Sequence, residues 1–339
     1  MHYLITGHTG FKGSWLTLML KMQGHTVSGI SLEPPKISLF NQAHIAEDLL
    51  HDLRIDIRNL SELQSAIKEI DPEVIIHLAA QPLVRESYIH PLETFETNVL
   101  GTLNLLESTK SLRNLRATLI ITTDKVYKNV NSLQGYVESD SLGGDDPYSA
   151  SKAAADIAAQ SWIKNFSTSP MAIARAGNVI GGGDWAVDRL VPELVKANQS
   201  NQLPTLRYPD SIRPWQHVLD CLQGYLKLVD KMIAESVGGE WNFGPDHLVQ
   251  KSVSQLVKAF AISWGNSNAD KYWDLEVEPQ PHESGYLLLD SSKSQKELAW
   301  NEKLNFEDSI DWTVEWFKDS INLGAREITT KQIKNYLST

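Results

Sequence analysis

The 339-residue chain has one cysteine, Cys221. A single thiol excludes an intrachain disulfide and any cysteine-based metal cluster, and it fits a reducing compartment. Long hydrophobic runs are missing too. No apolar stretch reaches the ~20 residues that a membrane-spanning helix needs. The opening MHYLITG has no basic segment followed by a long apolar one, so it reads as a first strand and turn. The expectation is a cytoplasmic protein without a membrane partner. Positive charge is in deficit. The 31 Lys and Arg face 42 Asp and Glu, a net charge of −11. A general nucleic-acid binder is excluded, because phosphate backbones need a basic surface. A local cationic pocket for a small anion is not. The ten histidines show no metal-ligand spacing, so no metal is expected. Repeats and low-complexity tracts are absent.

What is present is an apolar content of 42%, enough for a sizeable core. Short β-like runs alternate with helical ones. YLIT, TVSGI, HDLRID, EVIIHLAA, ATLIITT and MAIARAG read as strands. SWLTLMLKM, LSELQSAIKEI, ETNVLGTLNLLEST and SASKAAADIAAQSWI read as helices between them. Strands joined by crossover helices predict an α/β fold, a doubly wound parallel sheet of Rossmann type. After about Gly177 the rhythm breaks, and Gly, Pro and Trp become dense in GNVIGGGDW, RPWQH, WNFGPD and PQPHESGY. We therefore divide the chain into residues 1–177, a dinucleotide-binding lobe whose sheet later segments complete, residues 178–322, mainly a smaller substrate lobe, and a tail, 323–339. Trp162, Trp264, Trp312 and Trp316 fall on helical patterns as core or interface residues.

TGHTGFKG follows the first strand and opens the first helix, with Gly7, Gly10 and Gly13 spaced Gly-x-x-Gly-x-x-Gly. Glycines there permit a tight turn and let backbone amides approach a pyrophosphate. The end of the second strand, where an acid ordinarily holds the adenosine ribose, carries Ser31 and then Glu33, with no arginine beside them in sequence. That favours NAD over NADP. Asp56 and Ile57 follow the third strand. Asp56 is either an adenine contact, with Ile57 packed on the ring, or a turn residue.

Tyr148 and Lys152 lie four apart in DPYSASK, on one helix face. An ammonium beside a phenol stabilises phenolate, so the tyrosine can serve as a base. Together with the glycine turn, HLAAQ at 77–81 and NVLGT at 98–102, this pair resembles the extended short-chain dehydrogenase/reductases that act on nucleotide sugars. LAAQPLVRESY, TTDKVYKN, RAGNVIGGGDW, IRPWQHVLD and PHESGY narrow the resemblance to the 4,6-dehydratases of CDP-glucose. It runs from about Tyr3 to Phe317.

The resemblance implies NAD as cofactor, held by Gly7, Thr9, Gly10, Phe11, Lys12, Gly13, Asp56, Ile57, Leu78, Ala79, Ala80, Asn98, Tyr148 and Lys152. It implies CDP-glucose as substrate, a homo-oligomer (dimer or tetramer), and a place in deoxysugar biosynthesis. It also gives TTDKVY a role at the mouth of an apolar strand. Tyr148 takes the C4 hydroxyl proton, with Thr123 bonding the C4 oxygen. Asp124 is the acid at C6. Lys125 is either the base at C5 or a cation beside the enolate. Gln81, Asn178, Arg189, Arg213, His282 and Tyr286 are the expected substrate contacts. Arg189 has an alternative as a helix-start ion pair with Asp188. Two positions depart from the pattern. Gly285 stands where a His or Arg is expected, and Lys128 where an acid is common. A 4-epimerase or 4-reductase on this scaffold would not need the Asp124–Lys125 pair. A non-catalytic NAD sensor would need neither Tyr148 nor Lys152.

Overall fold

The computed structural model describes residues 1–246, 248–266, 272–276 and 285–338. Its centre is a seven-stranded, wholly parallel sheet. The strands are β1 (His2–Thr6), β2 (Thr26–Ser31), β3 (Asp52–Arg54), β4 (Val74–His77), β5 (Ala117–Ile121), β6 (Met171–Ala176) and β7 (Gly239–Phe243). Their spatial order is 3-2-1-4-5-6-7. The order reverses beside β1, so crossovers leave it in opposite directions and open a crevice at the strands' carboxyl ends.

The central strands are buried on both faces, because helices cover both, whereas the edge strand β3 is only half-buried. Leu4, Ile30 and Ile75 point into one core with the helix Leu60–Ile70 and with Leu105 of Gly101–Thr109. Tyr3, Ile5, Val74 and Ile76 point into the other, with helices Phe11–Met22, Val218–Glu235 and Phe306–Leu323. The second core also takes Val191, Leu194 and Leu206, so it continues from the sheet into the later segments.

Segments beyond residue 177 return to the sheet. Helix Val218–Glu235 returns to cover the sheet, and β7 adds its last strand on β6, with Arg175 opposite Asn242. The tail is the helix Ala325–Ser338, which buries Ile328, Ile333 and Tyr336 in the same core. What stands outside the sheet is a set of two-residue ladders. Val179–Ile180 pairs with Gln216–His217, Ile212–Arg213 with Lys251–Ser252, and Thr205–Leu206 with Asp274–Leu275. Trp316 is fully buried, while Trp162, Trp264 and Trp312 pack partly buried against cores. Among the described residues, no helix is long and apolar enough to cross a membrane.

Candidate active site

The segments picked out in the sequence arrive at one edge of the sheet. Gly7 follows β1, Ser31 ends β2, Asp56 lies just past β3, Leu78–Gln81 follows β4, Thr123–Lys125 follows β5 and Asn178 follows β6. They line a cavity of about 750 Å³ together with Tyr148, Lys152, Arg189 and Arg213.

At the β1 end, Gly7 has φ 76°, a left-handed conformation that favours glycine. A Cβ on Gly7 would lie 2.7 Å from the Ala79 nitrogen, and one on Gly13 only 2.3 Å from the Gly7 carbonyl. The turn is therefore too tight for side chains. Gly10 is the N-cap of Phe11–Met22 without a capping side chain, so the first helical amides stay open toward the cavity. Lys12 adds a cation there, 3.4 Å from the Tyr225 hydroxyl. Bare amides, a helix N-terminus and a lysine fit a dinucleotide pyrophosphate.

The ribose end holds a surprise. Thr9 Oγ1 bonds Ser31 Oγ at 2.7 Å, and Glu33 is exposed. The sheet register places Arg54 opposite Ser31, so an arginine absent from the local sequence does stand beside it. Its guanidinium is paired with Asp52 and with Glu33, the latter at 3.3 Å. Asp56 accepts from the Arg58 backbone and side chain at 2.9–3.0 Å, and Arg58 holds its carboxyl below the usual carboxylate range. The turn alternative for Asp56 is thus present in the structure, although Asp56 and Ile57 both line the cavity.

Tyr148, Lys152 and Asp156 lie at i, i+4 and i+8 on the inward face of helix Pro147–Phe166. Asp146 caps that helix, accepting from Ser149 N at 2.9 Å, and Pro147 supplies its first turn. Burial pushes the Tyr148 phenol up to about 12. A hydrogen bond with Thr123 pulls it down, the Asp124 charge pushes it further up, and the Arg189 charge pulls it down. Burial lowers Lys152 to about 8, with Asp156 opposing and Lys12 assisting. The Lys152 ammonium donates to the Ile121 carbonyl at 3.0 Å.

Asp124 is 2% exposed. Burial raises its carboxyl, against the opposing pull of Lys125, Thr123 and Arg213. Thr123 Oγ1 donates to Asp124 Oδ1 at 2.9 Å. Asp124 Oδ2 is buried without a hydrogen-bond partner. Such an oxygen favours the protonated acid. Lys125 is half-buried and also lines the cavity.

Some expected residues are placed elsewhere. Asn98 is buried behind the wall. Its amide donates to Gln81 O (3.1 Å) and Ser151 Oγ (2.8 Å) and accepts from Gln81 N (2.9 Å). It shapes the turn after β4 and does not line the cavity. Gln81 does line it, but its amide is engaged with Leu83 and Thr94. Tyr286 is exposed and off the cavity. Its neighbour Gly285 pairs through its carbonyl with Ile212 N (2.9 Å), beside Arg213. His282 lies outside the described residues. Arg189 pairs with Asp184 at 3.0 Å, and not with adjacent Asp188. Asp188 instead faces Arg85 (3.2 Å) and Arg207 (3.4 Å). Both arginines line the cavity and were missed. Arg85 lay inside the quoted LAAQPLVRESY, whereas nothing near Arg207 marks it. Among the described residues, no group of three His, Cys, Asp or Glu is placed to hold a metal.

Known proteins are similar to this chain along most of its length. A profile of the GDP-mannose 4,6 dehydratase family matches residues 4–313. A CDP-glucose 4,6-dehydratase of Salmonella typhimurium is 41% identical over 346 aligned positions, covering 98% of this chain and 95% of the relative. The crystal structure of a dTDP-glucose 4,6-dehydratase from Bacillus anthracis in complex with NAD superposes with a TM-score of 0.80 at 25% identity, covering 94% and 97% of the two chains. A UDP-glucuronic acid 4-epimerase from Bacillus cereus, solved with UDP-glucuronic acid and NAD, gives 0.81 at 24% identity over 94% and 99%. At that identity the last likeness is one of fold. The chain belongs to the GDP-mannose 4,6 dehydratase family.

Proposed function

We propose that the chain converts CDP-glucose to CDP-4-keto-6-deoxyglucose and water, using NAD, in deoxysugar biosynthesis. The observation that carries this reading is Asp124. Its carboxyl is buried, biased toward the protonated form, and accepts from Thr123 Oγ1 in the cavity that Tyr148 also lines. An epimerase has no use for a second acid at that place.

The Gly7–Gly13 turn, Lys12 and Lys152 would hold the cofactor, which when bound accepts a hydride from sugar C4 and returns it to C6. The residues do the proton work. Tyr148 takes the proton of the C4 hydroxyl. Its high resting position, about 12, means that it must be lowered as the site fills. Lys125 removes the C5 proton that the new ketone acidifies. Asp124 gives its proton to the C6 hydroxyl, which leaves as water. Lys125 returns a proton to C5 once the hydride has reached C6, and the proton taken by Tyr148 replaces the one that Asp124 gave up, so there is no net redox change. Arg189 and Arg213 lie where the sugar diphosphate would enter, and Arg85 and Arg207 join them. Arginine forks suit diphosphate oxygens. The CDP preference is supported by the 41% identical relative.

The test is incubation with CDP-, dTDP-, GDP- and UDP-glucose plus NAD. A 4-keto-6-deoxy product from CDP-glucose is expected. C4 inversion without loss of the C6 oxygen would sink the proposal.

A further inference from the structure

A buried ion pair behind the site has no part in the chemistry just described. Arg175 on β6 and Asp156 on helix Pro147–Phe166 have side chains that are 0% exposed. The guanidinium grips the carboxylate with Nε (2.9 Å) and Nη2 (2.7 Å). The pair then reaches both ends of the segment that carries Asp124 and Lys125. At one end, Thr122 Oγ1 donates to Asp156 Oδ2 at 2.9 Å. At the other, Arg175 Nη1 donates to the Tyr127 hydroxyl at 2.9 Å. Tyr127 in turn donates to Asn242 Oδ1 on β7 at 2.7 Å, and its ring stacks on Tyr136 with centroids 5.2 Å apart and planes at 9°.

Burying a charge pair is seldom the stablest choice, since well-packed apolar residues often do as well or better. What this pair supplies is a fixed distance. It ties Thr122 and Tyr127 to the helix that carries Tyr148 and Lys152. Catalytic groups lose rate steeply when misplaced by an ångström. We propose that Asp156 and Arg175, acting through Thr122 and Tyr127, are positioning residues that hold Asp124 and Lys125 in register with Tyr148. The proposal rests on the dehydratase reading. Tyr148 and Lys152 sit on the capped helix itself, and of the C4 groups only Thr123 rides on the clamped segment, so C4 oxidation largely tolerates a loosened clamp. The C5/C6 elimination depends on the clamped segment and does not.

Removing Asp156 would strand a buried guanidinium and unfold the protein for reasons unrelated to register. The decisive variants therefore delete one hydroxyl each, Tyr127→Phe and Thr122→Val, with Thr122→Ser as the conservative control. With CDP-glucose, the rise of reduced-nicotinamide absorbance in a single turnover reads C4 oxidation. Deuterium uptake at C5 from heavy water reads the elimination half. The thermal midpoint confirms that each variant is folded at the assay temperature. We expect C5 exchange to fall about tenfold or more in Tyr127→Phe and Thr122→Val. C4 oxidation should stay within about threefold, and Thr122→Ser should behave as wild type. Equal falls in both steps, or no fall in either, overturn the positioning role while leaving the dehydratase reading intact. A wild-type chain that does not oxidise CDP-glucose at C4 overturns that reading, and the proposal with it.

Discussion

The two ends of the cavity are built by different means. The β1 end is made of backbone. Its specificity lies in what is missing, because a Cβ at Gly7 would strike the Ala79 backbone and one at Gly13 the Gly7 carbonyl. The far end is made of side chains. Arg85, Arg189, Arg207 and Arg213 come from separate segments, and acids answer several of them: Asp184 for Arg189, Asp188 for Arg85 and Arg207, and Glu193 for Arg207 as well. A backbone cradle is rigid and cannot be tuned by charge. A ring of paired arginines can be, since an incoming diphosphate competes with the carboxylates already there. The fixed end suits a cofactor that every turnover reuses. The adjustable end suits a substrate that must enter and leave.

Where the two ends meet, Lys125 gives the largest expected effect. In Lys125→Met the cradle and the arginines are untouched, so binding and C4 oxidation should continue. Turnover should fall about 10²–10⁴-fold, the usual worth of a proton-transfer group. The variant should trap reduced nicotinamide and fail to exchange the C5 hydrogen with deuterated solvent. Normal exchange would reject Lys125 as the base.

The same contrast explains what was legible in the sequence. The β1 turn is local: eight consecutive residues and their strand–helix context fix it. β1, β2, β4, β5 and β6 are likewise contiguous, almost wholly buried stretches. β7 was not visible, because GEWNF runs into the Gly-Pro turn of WNFGPD and pairs with a strand more than sixty residues earlier. Arg54 lies beside Ser31 only through strand register. Asn98 reads as a contact residue in a motif, yet its amide is consumed by the Gln81 backbone. Arg189 sits next to Asp188 in sequence and bonds Asp184 in space, because Asp188 turns away at φ 59° toward Arg85. The arginine-lined end is a tertiary product, and spacing alone does not encode it.

Gly13→Ala sharpens the backbone half of the comparison. The added methyl would sit 2.3 Å from the Gly7 carbonyl and 2.6 Å from His8 Cα, both backbone atoms of a buried turn. Such overpacking costs about 1–3 kcal/mol. A cradle distorted by the same amount should lose about tenfold or more in NAD affinity. Titration with NAD and a thermal melt would measure the two losses. Unchanged NAD affinity would mean that the pyrophosphate does not lie on this turn.

Asp188→Asn tests the other half, and its expected effect is smaller and opposite in sign. Asp188 is exposed and faces two cavity-lining arginines, Arg85 at 3.2 Å and Arg207 at 3.4 Å. Exposed pairs of this kind contribute under about 1 kcal/mol each, so losing them should barely shift the melting point. Neutralising the carboxylate removes a competitor for the arginines, and KM for the nucleotide sugar should drop about twofold to fivefold at low salt, with kcat unchanged. The gain should fade above physiological ionic strength, where the Debye length falls below about 8 Å. A higher KM instead would show that Asp188 orients the arginines more than it occupies them. The substrate end would then be as preorganised as the glycine cradle.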